Sequence, residues 1–361
     1  MKNKKLLVLG SMFFALCLTA CGENKSVEPE PEPDNTVDVF VLSGQSNMEG
    51  STYFDNGKQW LQKACDRLEI DSDPMLNGFD NIYTSYYGYY PYGGNNPTPH
   101  ASNKTKPLDG EFQKTKVGMG NRDDFMGPEI GIAHALQRKA SEDRPIYFIK
   151  CAFSGSGFNA NTNQGNWVID PATGSASSGG YSASKNLYDN KLKPFTDNNL
   201  KLIEDTGKVP VIRGFLWHQG ETDSGNSKYK DQMLGLIAKF REDFADYAVD
   251  GDGENIAFID GYIYDGPNSP YHSQSKATNL QINDFKEEIA KAGENNFVIN
   301  TSYCETYGYS TEEDGGPMKL DIGLKQGDVE GGCDTYHYKT FDDLKMGIAY
   351  GECIIENVLG E

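Results

Sequence analysis

The sequence predicts an α/β protein, a three-layer α/β/α sandwich around a five-stranded, mainly parallel sheet. Two observations support this fold class. Five short runs of β-branched and aromatic residues are apolar almost throughout, as expected for strands buried on both faces of a parallel sheet. Segments of helical periodicity lie between these runs. This alternation of strands and helices favours right-handed crossovers that cover both faces of the sheet.

The elements follow one another along the chain with two interruptions. The predicted strands are residues 36–44, 146–152, 211–218, 256–263 and 297–302. The predicted helices are residues 131–142, 199–207, 228–247, 279–293 and 341–359. Residues 52–125 are rich in Tyr, Gly, Asn and Pro, and residues 162–186 are rich in Gly, Ser and Asn. Neither segment has a strong periodic run, so both are predicted to be long loops, which in compact domains are usually functional or disordered.

The N-terminal residues predict export. A basic start (MKNKK) is followed by a short apolar segment and by Leu-Thr-Ala before Cys21, so residues 1–20 form a signal peptide. A membrane anchor or buried helix is the less favoured interpretation, because the apolar segment is short. The ending resembles the bacterial lipobox, which implies cleavage before Cys21 and lipidation of its thiol. Residues 21–36 are then an acidic, Pro-rich tether, and residues 37–361 are the folded domain of a periplasmic or cell-surface lipoprotein.

The net charge limits the classes of binding partner, and the cysteine content limits the possible disulfides and metal sites. The formal net charge of −20 disfavours nucleic acid as a partner and mildly disfavours strongly anionic polymers. Beyond the signal segment and Cys21, five cysteines remain, and their odd number excludes complete pairing. No CxxC spacing suggests a zinc site. Cys304 and Cys333 lie in loop-like sequence and are the pair we would expect to form a disulfide, if the exported chain has one.

Polar segments follow the predicted strands. In open α/β sheets, ligands bind beyond the carboxyl ends of the strands. Gly-Gln-Ser-Asn-Met (44–48) follows the first strand, Phe-Ser-Gly-Ser-Gly (153–157) the second, and Trp-His-Gln-Gly-Glu-Thr-Asp (217–223) the third. Cys-Asp-Thr-Tyr-His (333–337) precedes the last helix. We therefore expect these four segments to meet at one edge of the sheet.

These segments contain the groups that ester hydrolysis through serine requires. Ser46 is the candidate nucleophile, and His337 the candidate general base. Asp334 has the spacing to orient His337. The backbone N–H groups of Ser46 and Gly155 and the side-chain amide of Gln219 are the candidate oxyanion donors. Taken singly, each signal is weak, because a serine after a strand is more often a turn or helix cap. Their occurrence at successive strand ends favours the catalytic interpretation.

The same blocks resemble a known superfamily. GQSNM followed by Gly50, then Trp-His-Gln-Gly-Glu (217–221) and Asp334-x-x-His337, are similar to the motifs of the SGNH hydrolases. More narrowly they resemble the branch of sialate O-acetylesterases and of the acetylxylan esterases of carbohydrate esterase family 6. Gly-Pro-Glu (127–129) matches a further element of that branch. The resemblance extends over most of residues 37–358 and implies the SGNH/flavodoxin-like version of the sandwich.

The resemblance implies the same roles for Ser46, His337, Asp334, Gly155 and Gln219. One block departs from the family, because Ser-Gly-Ser (154–156) stands where relatives usually have Gly-Gly-Ser or Gly-Gly-Thr, with Gly155 matching the second glycine. Supporting roles fall to the flanking motif residues, which are Gln45, Asn47, His218, Glu221 and Glu129.

Glu221 is ambiguous from the sequence. It either fixes its loop by local hydrogen bonds or serves as an additional acid near the base. We favour the structural role, because Asp334 already has the spacing of the orienting acid. His100, His134 and His272 have no further ligand at metal spacing, so no metal or other cofactor is expected.

The sequence thus predicts a serine esterase that removes O-acetyl groups from carbohydrate. Acetylated xylan or a similar neutral plant glycan is the first expectation, since the net charge mildly disfavours anionic polymers. A sialate O-acetylesterase is the alternative. A non-catalytic glycan-binding surface lipoprotein is a second alternative, although a binder has no need of Ser46, Asp334 and His337 together. A lipase or thioesterase would need an apolar acyl site, which these polar loops do not suggest. The oligomeric state stays open.

Overall fold

The structure is a computed structural model that describes residues 35–55, 59–87, 111–158, 165–170, 185–263, 276–301, 310–311, 316–317 and 337–360. The predicted signal peptide and tether, the lipidation site Cys21, the pair Cys304 and Cys333, and Asp334 lie outside the described residues. Cys65, Cys151 and Cys353 are described and are buried free thiols.

The strands are β1 Thr36–Gly44, β2 Thr52–Tyr53, β3 Ile82–Tyr87, β4 Gln113–Lys114, β5 Phe125–Met126, β6 Ile146–Ala152, β7 Val209–His218, β8 Ala257–Gly261, β9 Asn296–Ile299, β10 Ser310–Thr311 and β11 Gly316–Pro317. The α-helices are α1 Ser46–Glu49, α2 Trp60–Leu68, α3 Asp73–Asn77, α4 Glu129–Leu136, α5 Lys193–Glu204, α6 Tyr229–Asp243, α7 Lys276–Lys291 and α8 Thr340–Ile354. Short π-helical turns cover Tyr188–Leu192 and Ile355–Leu359, and 3-10 turns cover Ala245–Tyr247, Val249–Gly251 and Gly253–Asn255.

The main sheet has the strand order β4-β3-β6-β1-β7-β8-β9 in the described part of the chain. Only the β3–β4 pair within it is antiparallel. Two small antiparallel pairs, β2–β5 and β10–β11, stand apart from this sheet. The predicted class, an α/β sandwich with a mainly parallel sheet, is confirmed.

The sheet separates two apolar cores. Val37, Val39 and Val41 of β1 face the core beneath α5, α6 and α7. Phe40 and Leu42 face the core beneath α2, α4 and α8. Because successive side chains of a strand point to opposite faces, the continuous apolar run of β1 fills both cores at once. The central strand is therefore fully buried, which fixes the position of its carboxyl end.

Asp38 anchors the amino-terminal end of β1. Its carboxylate accepts hydrogen bonds from Arg144 Nε at 2.8 Å and Nη2 at 2.9 Å, and from Arg213 Nε at 2.6 Å. Burial alone would raise the pKa of Asp38, but these hydrogen bonds and charges outweigh it and hold the pKa below its ordinary value. The pair of arginines thus ties β6 and β7 to β1 at the end of the sheet opposite Ser46.

Two sequence-based expectations need correction. The sheet has seven strands, where five were predicted, because β3 and β4 extend it beyond β6. Both extra strands, with α2 and α3, lie in residues 52–125, which were predicted to be a long loop. The strand β3, IYTSYY, mixes buried and half-exposed positions, so it lacks the continuous apolar character of the central strands.

No helix in the described ranges combines the length and the apolar composition that crossing a bilayer requires.

Candidate active site

The carboxyl ends of β1, β6 and β7 lie side by side. Gly44 pairs in register with Ala152 of β6 and with His218 of β7. The polar segments 44–48, 153–157 and 217–223 that follow these strands therefore meet at one edge of the sheet, as parallel strands require.

Ser46 lies at the tip of β1 on a sharp turn. Gly44 has a φ of +138°, and a Cβ atom there would lie 2.2 Å from the carbonyl oxygen of His218. Only glycine permits this approach. Gln45 N–H then donates to His218 O at 3.0 Å, and Ser46 begins the single-turn helix α1. Within the described residues, the Ser46 hydroxyl and its backbone N–H have no hydrogen-bond partner in the protein. Both groups are thus free to act on a ligand.

The side chains on either side of Ser46 bind the loop after β7. Gln45 Oε1 accepts from the backbone N–H of Thr222 at 3.3 Å and from its hydroxyl at 3.2 Å. Asn47 Nδ2 donates to Glu221 Oε1 at 2.8 Å. These contacts hold α1 against residues 221–222, and the supporting roles of Gln45 and Asn47 in catalysis stay predictions.

His337 lies beside the loop that follows α1. Thr52 Oγ1 donates to Tyr338 O at 2.9 Å, and Thr340 Oγ1 donates to Tyr53 O at 2.6 Å. Thr52 and Tyr53 come shortly after Ser46, so these two bonds bring the segment of His337 to the end of the sheet where Ser46 lies. His337 is partly exposed.

Glu221 is a buried carboxyl group in the loop that follows β7. Burial raises its pKa, against the smaller opposing effects of its own backbone N–H, of Asn47 and of the Lys286 and His337 charges. Oε1 accepts from Asn47, whereas Oε2 is buried without a hydrogen-bond partner. Glu221 therefore makes a loop contact to Asn47 and lies within electrostatic range of His337.

His218 is a buried structural residue. Its Nδ1 lies 3.3 Å from Tyr350 Oη, and its Nε2 lies 3.4 Å from Tyr338 Oη. Because Tyr350 donates its hydroxyl hydrogen to Trp217 O at 2.6 Å, Nδ1 of His218 must be the donor in the first contact, and Nε2 accepts in the second. Burial, followed by the charge of Lys286, holds the pKa of His218 well below its ordinary value. His218 is thus neutral and braces β7 against α8.

The predicted oxyanion donors differ in their surroundings. Gly155 is exposed, and its N–H has no acceptor in the described protein. Gln219, in contrast, is fully buried, and its Nε2 donates to Asp223 Oδ2 at 2.6 Å and to Ser156 O at 3.3 Å. The amide of Gln219 is thus already committed within the protein. Its donation to an oxyanion stays a prediction that requires one of these bonds to be exchanged.

A buried ion pair between α7 and β8 stabilises the loop that follows β7. Lys286 Nζ of α7 donates to Asp260 Oδ1 at 2.6 Å, to Gln219 O at 2.6 Å and to Gly261 O at 2.7 Å. Lys286 and Asp260 are almost completely buried. Burial outweighs the lowering effect of Lys286 and raises the pKa of Asp260 to about 7. The lysine therefore joins the tips of β7 and β8.

A second buried group supports α1. Glu129 begins α4 and forms an ion pair with Lys150 Nζ at 2.9 Å. Lys150 also donates to the carbonyl oxygen of Glu49, the last residue of α1, at 3.0 Å. Asp343 of α8 lies buried beside this pair, and its pKa is raised well above the ordinary value by burial and then by Glu129. Glu129 is thus connected to α1, the helix that carries Ser46, through Lys150.

Sequence analysis assigned no role to Glu49, Asp223, Lys150 or Lys286. Glu49 follows the GQSNM block directly and Asp223 follows the HQGE block after one residue, and that closeness was the available signal. Nothing local to Lys150 or Lys286 distinguishes them from surface lysines. No group of three or more His, Cys, Asp or Glu in the described ranges is arranged to hold a metal ion.

Comparison with known proteins places the chain in a family. A family model described as carbohydrate esterase, sialic acid-specific acetylesterase, matches residues 100–295, more than half of the sequence. The chain belongs to this acetylesterase family. The matched residues include the loops after β6 and β7 but neither Ser46 nor His337, so the roles of those two residues rest on the sequence and geometry given above. The resemblance inferred from the motifs is confirmed.

Solved structures share the fold of this family member. The crystal structure of NanS superposes with a TM-score of 0.54 and 15% sequence identity, over 89% of this chain and 97% of NanS. A protein from Arabidopsis thaliana superposes with a TM-score of 0.50 and 16% identity, over 90% of this chain and all of the other. At these identities the likeness shows the fold alone. Among curated proteins there is no significant match.

Proposed function

We propose that this protein is a serine esterase that releases acetate from O-acetylated carbohydrate. The observation that carries the proposal is the state of Ser46. Its hydroxyl and its N–H, together with the N–H of Gly155, have no partner in the described protein, although they lie at the ligand-binding edge of an α/β sheet. In a member of a carbohydrate esterase family, a free nucleophile next to free backbone donors supports acyl transfer.

The first half-reaction forms an acetyl-enzyme. Ser46 Oγ attacks the acetyl carbonyl carbon while His337 takes the hydroxyl proton. The carbonyl electrons move to oxygen, and the N–H groups of Ser46 and Gly155 stabilise the oxyanion, with Gln219 as the third predicted donor. When the tetrahedral intermediate collapses, the C–O bond to the sugar breaks, and the protonated His337 gives its proton to the departing sugar oxygen.

The second half-reaction regenerates the enzyme. Water replaces the sugar, and His337 removes a proton as the water attacks the acetyl carbon of the Ser46 ester. Collapse of the second tetrahedral intermediate releases acetate and returns the proton from His337 to Ser46 Oγ. The balance is one ester and one water in, one sugar hydroxyl and one acetic acid out.

His337 needs an acid to orient it. We assign that role to Asp334 from its spacing, and we assign Glu221 the fixing of the β7 loop through Asn47. Asp334→Asn should then lower kcat by a factor on the order of 10²–10⁴, because the wrong tautomer of His337 is stabilised. Glu221→Gln keeps the shape of the side chain and should cost much less. The opposite order of losses would transfer the orienting role to Glu221.

Two substrate classes compete. The net charge of −20 favours a neutral glycan such as acetylated xylan, whereas the description of the matching family favours an O-acetylated sialic acid. The deciding experiment measures acetate release by residues 37–361 from both substrates, beside Ser46→Ala. Release from one substrate that disappears in the variant would identify the chemistry and the substrate class. Retained turnover in Ser46→Ala would refute the mechanism, and no release from either substrate would favour a glycan-binding protein.

We also propose that the chain is exported and anchored by a lipid on Cys21. The basic start, the short apolar segment and the Leu-Thr-Ala-Cys ending support this. Metabolic labelling with a fatty acid, compared between the natural sequence and Cys21→Ser in a bacterial host, tests it. Equal labelling of both forms would exclude Cys21 as the site.

A further inference from the structure

Residues 153–156, which follow β6, form a turn that is hydrogen-bonded to the end of β1. Phe153 N–H donates to Gly44 O at 3.1 Å, and Ser156 N–H donates back to Phe153 O at 3.2 Å. Gly155 occupies the third position of this turn with a φ of +68°, where type II turns require a glycine. The conformation of this turn therefore determines the direction in which the free N–H of Gly155 points.

A carboxylate from α1 holds the residue before Gly155. Glu49 Oε2 accepts the backbone N–H of Ser154 at 2.8 Å and also accepts the Ser154 hydroxyl. Glu49 is buried, and it lies three residues after Ser46 on the same helical turn. The helix that carries the nucleophile is thus bonded directly to the turn that carries Gly155.

A second carboxylate, from the β7 loop, holds the far side of the turn. Asp223 Oδ2 accepts the backbone N–H of Phe158 at 2.8 Å and the Gln219 amide at 2.6 Å, while Oδ1 accepts Asn226 Nδ2 at 3.1 Å. Asp223 is completely buried. One carboxylate therefore joins the β7 loop to the β6 turn.

Hydrogen bonds from N–H donors to buried carboxylates are stronger than those between neutral groups, because one partner is charged. A pair of such bonds, one on each side, fixes a short turn more firmly than its own backbone bond. An exposed turn without them would sample other orientations of the Gly155 peptide plane. Preorganised donors act only when they stay aimed at the developing charge.

We propose that Glu49 and Asp223 are positioning residues that clamp the segment 153–158, which consists of the turn 153–156 and the two residues after it. By holding this segment from both sides, they aim the Gly155 N–H at the oxyanion formed on Ser46. The inference rests on the proposed esterase function and deepens it. Neither carboxylate touches the reacting atoms. Glu49 acts through the turn alone, whereas Asp223 acts through the turn and also accepts from the Gln219 amide, the third predicted oxyanion donor. The two carboxylates come from the segments that follow β1 and β7.

The test compares kcat and KM of graded variants with p-nitrophenyl acetate. Asp223 accepts on both of its oxygens, so Asp223→Asn loses an acceptor that is in use. Asp223→Asn and Glu49→Leu should both lower kcat by a factor on the order of 10–10², with KM within about threefold, because the loss falls on the transition state. Glu49→Gln retains an acceptor oxygen for Ser154 and should recover most of the rate. The bimolecular rate of Ser46 modification by a p-nitrophenyl phosphonate, whose tetrahedral adduct needs the same donors, should fall in parallel.

Asp38→Asn is the matched control. Asp38 is also a buried carboxylate with several donors, but it lies at the other end of β1, about 20 Å from Gly44. It should lower the midpoint of thermal unfolding and leave kcat unchanged. Equal kcat losses in Asp38→Asn and Asp223→Asn would show a general loss of folded structure and overturn the proposal.

Amide hydrogen exchange separates the clamp from the esterase function. Exchange in a peptide that covers 153–158 should accelerate in Asp223→Asn and Glu49→Leu, and not in Asp38→Asn. Unchanged exchange together with unchanged kcat would overturn the clamp. A different outcome is that the unmutated protein releases no acetate while the same variants still accelerate exchange. This outcome would refute the esterase function and retain the clamp as a feature of the turn.

Discussion

Replacing Lys286 with methionine should destabilise the protein far more than the loss of an ordinary lysine. Lys286 is buried, and its Nζ donates to Asp260 Oδ1 and to the carbonyl oxygens of Gln219 and Gly261, all within 2.7 Å. Methionine fills a similar volume but donates no hydrogen bond. The variant therefore leaves three buried acceptors without their donor.

The size of the effect follows from these contacts. Removing one partner of a buried ion pair costs about 3–5 kcal/mol, because the remaining charge is uncompensated. A buried carbonyl that loses its donor adds about 1–3 kcal/mol. Protonation of Asp260 limits the total loss of stability. Its pKa is already about 7 with Lys286 present, so the carboxylate can take up a proton once the lysine is gone. We expect a loss of about 4 kcal/mol in the free energy of unfolding, within the usual range for a broken buried pair.

Urea unfolding followed by the fluorescence of the buried Trp167 and Trp217 measures the loss. Lys230→Met is the control, since Lys230 pairs with Glu288 of α7 at 2.6 Å on the surface and should cost much less. The double variant Lys286→Met with Asp260→Leu should be more stable than the sum of the single losses, because it removes the unpaired carboxylate. A loss in Lys286→Met no larger than in the control would refute the argument, and so would strict additivity.

Three further substitutions test the fold, two of them at the site and one at the opposite end of β1. Gly44→Ala places a Cβ atom 2.2 Å from His218 O at a φ of +138°, so it should cost about 3 kcal/mol or more in urea unfolding. Tyr350→Phe removes the hydroxyl that donates to Trp217 O, and a loss of about 1–3 kcal/mol is expected by the same method. The pKa of Asp38 is lowered in the folded protein, so its contribution is present above the ordinary value of 3.8 and is lost as the pH falls through the lowered folded pKa. Asp38→Asn should therefore be less stable at neutral pH and lose less stability on acidification below pH 3.8; parallel pH profiles would contradict this.

The central part of the fold was predictable because burial on both faces leaves a clear mark in the sequence. The runs TVDVFVLSG and IYFIKCA became β1 and β6 at the predicted residues. The outer strand β3 was missed, since its half-exposed tyrosines resemble the surrounding loop residues. The short helices α2 and α3 escaped for a similar reason, because nine and five residues give little periodicity to detect.

The positions of the candidate site residues were predictable at strand ends, and not where contacts join residues far apart in the chain. Ser46 and Gly155 could be placed because each follows a recognisable strand. The partners of Glu49 and Asp223 could not, because their bonds to Ser154 and Phe158 span 105 and 65 residues. No local sequence pattern indicates that a carboxylate will be buried against the backbone N–H groups of another loop.

The two bonds that bring Tyr338 to Thr52 and Thr340 to Tyr53 span 286 and 287 residues. Contacts of such sequence separation form late, because the chain between them must be ordered before closure is favourable. The central sheet can assemble before these bonds close, and the segment of His337 docks afterwards. Under the proposed mechanism, esterase activity should therefore appear only after the sheet has folded, because Ser46 lacks the proposed base His337 until these two bonds have formed.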